Sequence, residues 1–388
     1  MLFAVAFGTN VPTPLLLRYR EVLDLSPTVL TAIFGVYAAG LVPTLFVAGP
    51  ASDRYGRRAV VLPFTVVAVL ASAVFLGASS SLPLLLMGRL LQGAVSGAVF
   101  SVGSAWMGEL VEDPGTAARR ATTALSLGFA LGPLTAGLLG QCAPGPLVVP
   151  YLVHLGLLAA GLVVLRGVPE TLRIRRPDAP LVNLGVPPAA RAPFLAFAVP
   201  AGLCVFAFPS VSVTVLPLGL QQAMPGLDVA VTGVVAGVTM LSGVLVQQVA
   251  RRTDPTRAAP LGAAAGTVGV AVGLIGILLD APWLLLPAAV LLGCGYGLTL
   301  ASGLGATQLL AAADARGALT STFYAVAYLG FGVPLVMAAV SDGTDFIGSL
   351  VGLLGVGVAL AAVLAVGPGR RHLERRRPGA TYSAGAAR

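Results

Sequence analysis

The chain has 388 residues, of which 57% are hydrophobic and 10% charged. Soluble domains carry roughly 25% charged residues. A chain this apolar cannot hide its surface from water, which excludes a soluble enzyme, a disordered chain and a secreted disulfide scaffold. What is left is a polytopic membrane protein. A helix crosses a bilayer with about 20 apolar residues, so twelve helices use roughly 240 residues and leave short loops. A barrel is excluded as well. Its strands alternate with period two over about 10 residues, whereas this chain has continuous apolar runs such as Leu284 to Leu292 and Ile347 to Val366.

The apolar segments predict spans over about 1–17, 27–48, 59–78, 82–107, 121–141 and 147–167, then about 192–219, 228–249, 259–279, 282–309, 317–340 and 345–366. Span 1 begins at Met1 without a basic segment or a small-residue cleavage site, so no signal peptide is expected. Frequent glycine and proline suit membrane helices, where neighbours re-satisfy the backbone and small residues allow close approach. The expected fold is an all-α membrane protein of twelve transmembrane helices in two pseudo-symmetric six-helix bundles. The expected parts are an N-terminal bundle (1–167), a cytoplasmic linker (168–191), a C-terminal bundle (192–366) and a basic cytoplasmic tail (367–388), the last expected to be disordered.

All 23 basic residues are arginine and the net charge is +8. The absence of lysine suggests a GC-rich bacterial genome. Topology explains the charge better than nucleic acid does. Loops after even-numbered spans, with the tail, hold 20 arginines; the opposite side holds Arg18 and Arg20, and Arg89 lies within a span. The positive-inside rule therefore puts both termini in the cytoplasm. Cys142, Cys204 and Cys294 have no metal or redox spacing and read as small core residues.

An internal repeat supports two related halves. Shifting the chain by 200 residues puts Leu91, Gly93 and Gly97 on Leu291, Gly293 and Gly297, and Arg57 on Arg257. The stretch Arg251-Arg252-Thr253-Asp254 falls in the loop corresponding to Asp53-Arg54. Two repeated halves of this kind make a transporter architecture with a site near the bilayer midplane.

The loop after span 2 reads GPASDRYGRRAVVL over residues 49–62. Gly49 and Gly56 are expected to permit tight turns, and Asp53 to pair with an arginine or cap a helix, the loop serving as a gating latch between the two bundles. Span 4 carries GRLLQGAVSGAVF over residues 88–100. Arg89 and Gln92 share one helix face, and Gly93 and Gly97 make a small-residue packing edge. A charge within a span costs at least ~2.5–3.5 kcal/mol, so Arg89 needs a partner unless it snorkels outward. Span 5 carries LGFALGPLTAG over residues 127–137, with Gly128, Gly132, Pro133 and Gly137; the glycines permit contact and the proline bends the span.

These stretches together resemble the major facilitator superfamily. Gly49, Asp53, Arg54, Gly56, Arg57 and Arg58 match every position of its signature Gly-x-x-x-Asp-Arg-x-Gly-Arg-Arg/Lys. Arg89, Gln92 and Gly93 match a second motif, Arg-x-x-Gln-Gly. The span 5 glycines and proline match in part a third, associated with bacterial drug-and-proton antiporters; Ala121 and Ala136 stand where it has glycine. Pro169-Glu170-Thr171 resembles a frequent ending of the first half.

The resemblance implies a secondary active transporter moving a small molecule by alternating access, efflux of an amphipathic drug or metabolite being the first expectation. Uptake or facilitated diffusion of a polar nutrient stays open, as does proton coupling. A membrane-embedded enzyme is the reading from another class; it lacks any paired-carboxylate, histidine-cluster or nucleotide-loop motif. No metal or cofactor is expected. The expected partners are a small-molecule substrate, the lipid bilayer and, under coupling, protons, with no nucleic acid and a monomeric chain in a bacterial plasma membrane. No carboxylate falls inside a span: Glu109, Asp228 and Asp345 lie at span edges, and Asp24, Asp280 and Asp342 in outer loops. Candidates for coupling or substrate contact are Arg89, Gln92, His154, Asn10, Tyr37, Phe208, Tyr296, Tyr324 and Tyr328.

Overall fold

A computed structural model describes residues 1–172, 182, 185–250, 252–310, 316–341 and 345–375. The described residues hold no strand, and 11 of their helices are long and apolar enough to cross a membrane. The chain divides into two compact units. One comprises Met1–Val182, Val213–Leu241 and Pro334–Thr344; the other comprises Asn183–Ser212, Ser242–Val333 and Asp345–Arg388.

The first unit opens on α1 (Leu2–Thr9) and α2 (Pro12–Leu23). The sequence predicts one continuous first span ending near residue 17, but the chain breaks at Asn10 and runs on to Leu23. Prolines at 12 and 14 explain the break, since proline suits a helix's first turn but cannot continue the one before it. Next come α3 (Pro27–Tyr55), α4 (Arg57–Leu76), α5 (Leu82–Leu110), α6 (Pro114–Cys142) and α7 (Val149–Arg166). Ser26 caps α3 through the Val29 amide at 3.3 Å, and Asp113 caps α6 through the Thr116 amide at 2.7 Å. Such caps satisfy amides that a helix start leaves unpaired.

Leu2 and Val5 of α1 are buried with Ala68, Val95, Val99, Ala121 and Leu158 from α4 to α7. Thr9 and Val11, on either side of the break, are buried, as irregular backbone at membrane depth requires. A side chain at Gly93 would strike the Tyr37 carbonyl, and one at Gly97 would lie 2.5 Å from that of Leu41. α3 and α5 therefore meet backbone to backbone. Gly128 and Gly132 do the same for α6 against α1, at Phe3 and Phe7. Pro133 lies inside α6, which continues to Cys142.

The second unit contains most of the long span Pro188–Gly219, whose residues from Val213 onward belong to the first unit. Its α-helical centre, α8 (Val199–Ser210), is flanked by wider π-helical stretches, Phe194–Ala198 and Val211–Val215. α9 (Asp228–Ala250) contributes to both units. α10 (Pro255–Leu278) is capped by Asp254 through the Thr256 amide at 2.9 Å. α11 (Leu285–Leu310), α12 (Arg316–Tyr328), α13 (Val333–Val340, in the first unit from Pro334) and α14 (Ile347–Val366) follow. A 3₁₀ turn, Leu329–Gly332, separates α12 from α13.

The tail begins as a helix, α15 (Pro368–Arg375), where disorder was expected. Leu373 is buried, and a side chain at Gly369 would lie 2.5 Å from the Ala196 carbonyl. The helix thus seats on the π-helical start of the long span. Arg370 pairs with Glu374 at 2.9 Å and donates to the Ala365 carbonyl. Residues 376–388 of the tail, most of the linker with Arg173, Arg175 and Arg176, and also Arg251 and Asp342 lie outside the described residues. Cys204 is buried and Cys294 partly so, but Cys142 is exposed at the end of α6 and is no core residue.

Candidate functional site

Three groups of side chains stand out, each inside one unit. The first is the signature loop. Gly49 was expected at a turn, but it lies inside α3, where an added side chain would make only ordinary contact with Ser101 at 3.5 Å. The turn rests on Gly56 alone, at φ 113° and ψ 154°, a region essentially confined to glycine. A Cβ there would also lie 2.6 Å from the Glu170 carboxylate.

That carboxylate occupies the start of α4. It accepts from the amides of Arg57 at 3.1 Å and Arg58 at 2.9 Å, and from those of Thr171 and Leu172. An acid at a helix N-terminus is stabilised by unpaired amides and by the helix dipole. Arg57 then joins three helices. It pairs with Asp53 of α3 at 2.6 Å and with Glu109 of α5 at 2.8 Å, and also bonds Ser52. Thr171 donates to Glu109, and the Trp106 indole donates to the Pro169 carbonyl at 3.1 Å. Arg58 reaches the Val168 and Arg166 carbonyls at 3.1 and 3.2 Å. Arg54 is half-buried, and its Nε has no hydrogen-bond partner.

Burial pushes the Glu170 carboxyl upward, but the backbone amides of Leu172, Arg58, Arg57 and Thr171 outweigh it and hold it below the usual range. A lowered carboxylate value means that its stabilisation is present above the unfolded value of about 4.3 and is lost as pH falls through the folded value. Glu170→Gln is therefore expected to melt below wild type at neutral pH, with the gap closing in acid below about pH 4.3. Melting curves of both proteins in detergent at several pH values check this; a gap independent of pH would refute it.

The second group surrounds Arg89, which is 1% exposed. It does not snorkel, and its partners are not acids. Its guanidinium donates to the carbonyls of Ile33 at 3.4 Å, Thr9 at 3.2 Å and Phe34 at 3.3 Å, and to the Gln92 amide oxygen at 2.9 Å. It lies 5.6 Å from the Phe34 ring centre and 5.0 Å from that of Tyr37. Gln92 in turn donates to the Gly8 carbonyl at 2.5 Å. The break after Thr9 leaves the carbonyl end of α1 without further helix, and a carbonyl end attracts cations. The buried charge is therefore offset by a helix terminus and by aromatic faces. Tyr37 and Gln92 belong to this group; Asn10 is the half-buried residue at the break itself.

His154 touches the same helix from another side. It is buried, with Nδ1 at 2.8 Å from the Ser72 hydroxyl and Nε2 at 3.1 Å from the Ala4 carbonyl. Its ring fills the space left by the missing side chain of Gly8 and stacks near Phe7. Asp228, assigned to a span edge, is the first residue of α9, and among the described residues it is the buried carboxylate. Gln221 donates to it at 3.2 Å and accepts from Arg20 at 2.8 Å.

The third group is aromatic and lies in the second unit. Tyr296 of α11 and Tyr324 and Tyr328 of α12 come together with Phe206 of α8 and Phe331 of the 3₁₀ turn. Phe208 was expected among them, but it is buried against Gly266 and Gly295. It packs helices, because only glycine on α10 and α11 leaves room for its ring. Phe206 and Phe331 carried no pattern in the sequence that set them apart from other core aromatics. Glu170 did sit in a stretch that stood out, but its hydrogen bonds from the Arg57 and Arg58 amides cross more than 100 residues.

Similarity to known proteins bears on these groups. A family model described as Major Facilitator Superfamily matches residues 1–333. The multidrug resistance protein MdtL of Escherichia coli is 32% identical over 138 residues, or 36% of this chain and 31% of that protein. MdtL of Shigella boydii matches to the same extent. The aligned stretch thus spans about a third of the length of these relatives. Among solved structures, a mutant of the peptide transporter POT in complex with sulfate has TM-score 0.78 at 16% identity, covering 96% of this chain and 94% of that one. A mutant of the nucleoside transporter NupG has TM-score 0.75 at 13% identity, covering 94% and 97%. At such identities the likeness is one of fold. With the signature loop complete and a family model matching most of its length, the chain belongs to the major facilitator superfamily of membrane transporters.

Proposed function

We propose that this transporter exports an amphipathic drug or metabolite across a bacterial plasma membrane, by alternating access of two six-helix halves. In this reading α1 and α2 form one interrupted span. They hold 8 and 12 residues, together roughly 30 Å at 1.5 Å per residue, so the 11 long spans become twelve. The halves are then 1–167 and 192–366, joined by the linker 168–191. Linker, tail and both termini lie in the cytoplasm, on the arginine-rich side. The chain works as a monomer.

The observation that carries the reading is the Arg57 network. One guanidinium ties the ends of α3 and α5 to the start of α4, so these helix ends can shift as one rigid piece when access changes sides. Export in place of uptake is supported by the partial likeness to a multidrug resistance protein. Purified protein in liposomes with an imposed pH gradient tests it. Export predicts that ethidium is concentrated against its own gradient on the side opposite the cytoplasmic face; equilibration without concentration would leave a facilitator.

Proton coupling runs through His154 in this reading. His154→Ala is expected to flatten the pH dependence of transport, and an unchanged profile would remove the histidine from the mechanism. Topology is tested by labelling from outside with a membrane-impermeant thiol reagent, in a background lacking Cys142. Gly226→Cys is expected to react and Asp178→Cys to be spared. Asp178 lies outside the described residues, so this arm rests on the arginine count. The opposite pattern would overturn the orientation and the twelve-span count together.

A further inference from the structure

The rings of the second unit sit at a particular depth. The spans that carry them run over Pro188–Gly219, Pro282–Leu310 and Arg316–Val340. Tyr296 and Tyr328 fall at the midpoints of the second and third, and Phe206 within three residues of the midpoint of the first. A helix irregularity lies at the same level: the 3₁₀ turn Leu329–Gly332 interrupts the span of Tyr328 directly after its midpoint. Ser210 of α8 donates to the Gly330 carbonyl in that turn at 3.0 Å. Departures from α-helix at mid-membrane are tolerated where protein or a water-filled cavity, not lipid, lies alongside, and they mark substrate sites in transporters.

The rings are arranged as a surface. Phe206 and Tyr328 lie 4.7 Å apart at 10°, and Phe206 and Phe331 lie 4.9 Å apart at 27°. Tyr328 lies 6.0 Å from Phe331 at 17° and 6.1 Å from Tyr324 at 26°. Phe206 is thus equally close to two rings that are themselves only 6.0 Å apart, so the three cannot form a linear pile. They are near-parallel and laterally offset. All five rings are half-buried, not enclosed, although Phe206 belongs to a span that is 72% buried. The segments that carry them are also free of ionic groups. No charged residue occurs from 192 to 227, from 281 to 313 or from 317 to 341.

We infer that the Phe206–Tyr328–Phe331 surface, flanked by Tyr296 and Tyr324, is a stacking platform for the transported solute, and that it selects planar aromatic compounds by shape and not by charge. The inference rests on the transporter reading and narrows its substrate class. A flat π-system gains contact with every offset ring, whereas a bulky non-planar solute touches one or two. With no acid or base on these segments, a neutral planar solute and a planar delocalised cation should be held comparably, the cation gaining only the modest attraction of the ring faces.

The test is calorimetric binding to the purified full-length protein with three probes: ethidium (planar, cationic), acridone (planar, neutral) and tetraphenylphosphonium (cationic, non-planar). Ethidium and acridone should bind with similar affinity. Tyr328→Leu should weaken both about tenfold, the usual scale for one lost stacking partner. Tyr328→Phe should bind as wild type, and tetraphenylphosphonium should be indifferent to either change. Should Tyr328→Leu fail to fold, as judged by melting and gel filtration, Tyr324→Leu at the edge of the surface is read in its place. Unchanged binding of both planar probes in the leucine variant would overturn the platform, as would an equal loss for tetraphenylphosphonium. Failure of acridone to bind where ethidium does would overturn selection by shape. The export reading fails separately: ring-dependent binding without concentrative transport in liposomes sinks export alone, and transport with an unchanged KM in Tyr328→Leu sinks the platform alone.

Discussion

Arg89→Ala is expected to destabilise the protein by about 3 kcal/mol and to abolish transport. Four of the five guanidinium N–H donors are engaged with α1, α3 and Gln92. Truncation leaves a void the size of an arginine and removes the counter-charge from the carbonyl end of α1. The carbonyls of Ile33 and Phe34 belong to α3, whereas that of Thr9 ends its helix and has the most to lose. Arg89→Lys keeps the charge but loses the planar fork, and an ammonium cannot reach all four acceptors. The expected order of melting temperatures in detergent is wild type, then lysine, then alanine. Equal melting of all three would mean that the buried cation does not hold the spans together. Transport then separates the remaining roles. If Arg89 serves proton coupling, exchange survives in the variants while gradient-driven movement is lost. If it binds a substrate anion, both fall together.

Asp53→Asn is expected to lower transport at least tenfold while expression and melting stay near wild type. The carboxylates of Asp53 and Glu109 are 43% and 34% exposed, and a pair this wet contributes little to folding. Arg57 keeps Glu109 and the Ser52 hydroxyl when Asp53 is neutralised, so the helix ends remain joined. What changes is the charge balance of a junction that has to rearrange in every cycle. Transport rates at matched protein amounts in liposomes decide it, and a rate equal to wild type would mean that Asp53 serves insertion only.

Much of this was legible in the chain. Membrane class, the approximate positions of 11 spans and the family all follow from apolar run length and from a loop with ordered spacing. These are local properties. A bilayer demands about 20 apolar residues whatever surrounds them, and a helix–loop–helix junction keeps its residues near one another in space.

The partners of the critical side chains were not local, and only the tertiary structure decided them. Arg89 was identified as a buried charge, but nothing near it in sequence announces that Thr9, Ile33 and Phe34 offer carbonyls. That depends on α1 ending at Asn10 and on Gly93 and Gly97 letting α5 approach α3. Asp53 and Arg57 are four residues apart and could be paired on paper, whereas Glu109 and Glu170 join them from 52 and 113 residues away. Phe206 and Phe208 differ by two positions in one apolar helix, and composition cannot tell them apart. Glycines on α10 and α11 enclose Phe208, whereas Phe206 is stacked on Tyr328 and Phe331 and half-buried. Sequence by itself determined which segments are long and apolar enough to cross a membrane, because that is set by the run of residues alone. Which side chains meet there depends on crossing helices, and small residues at the crossings set how close they come.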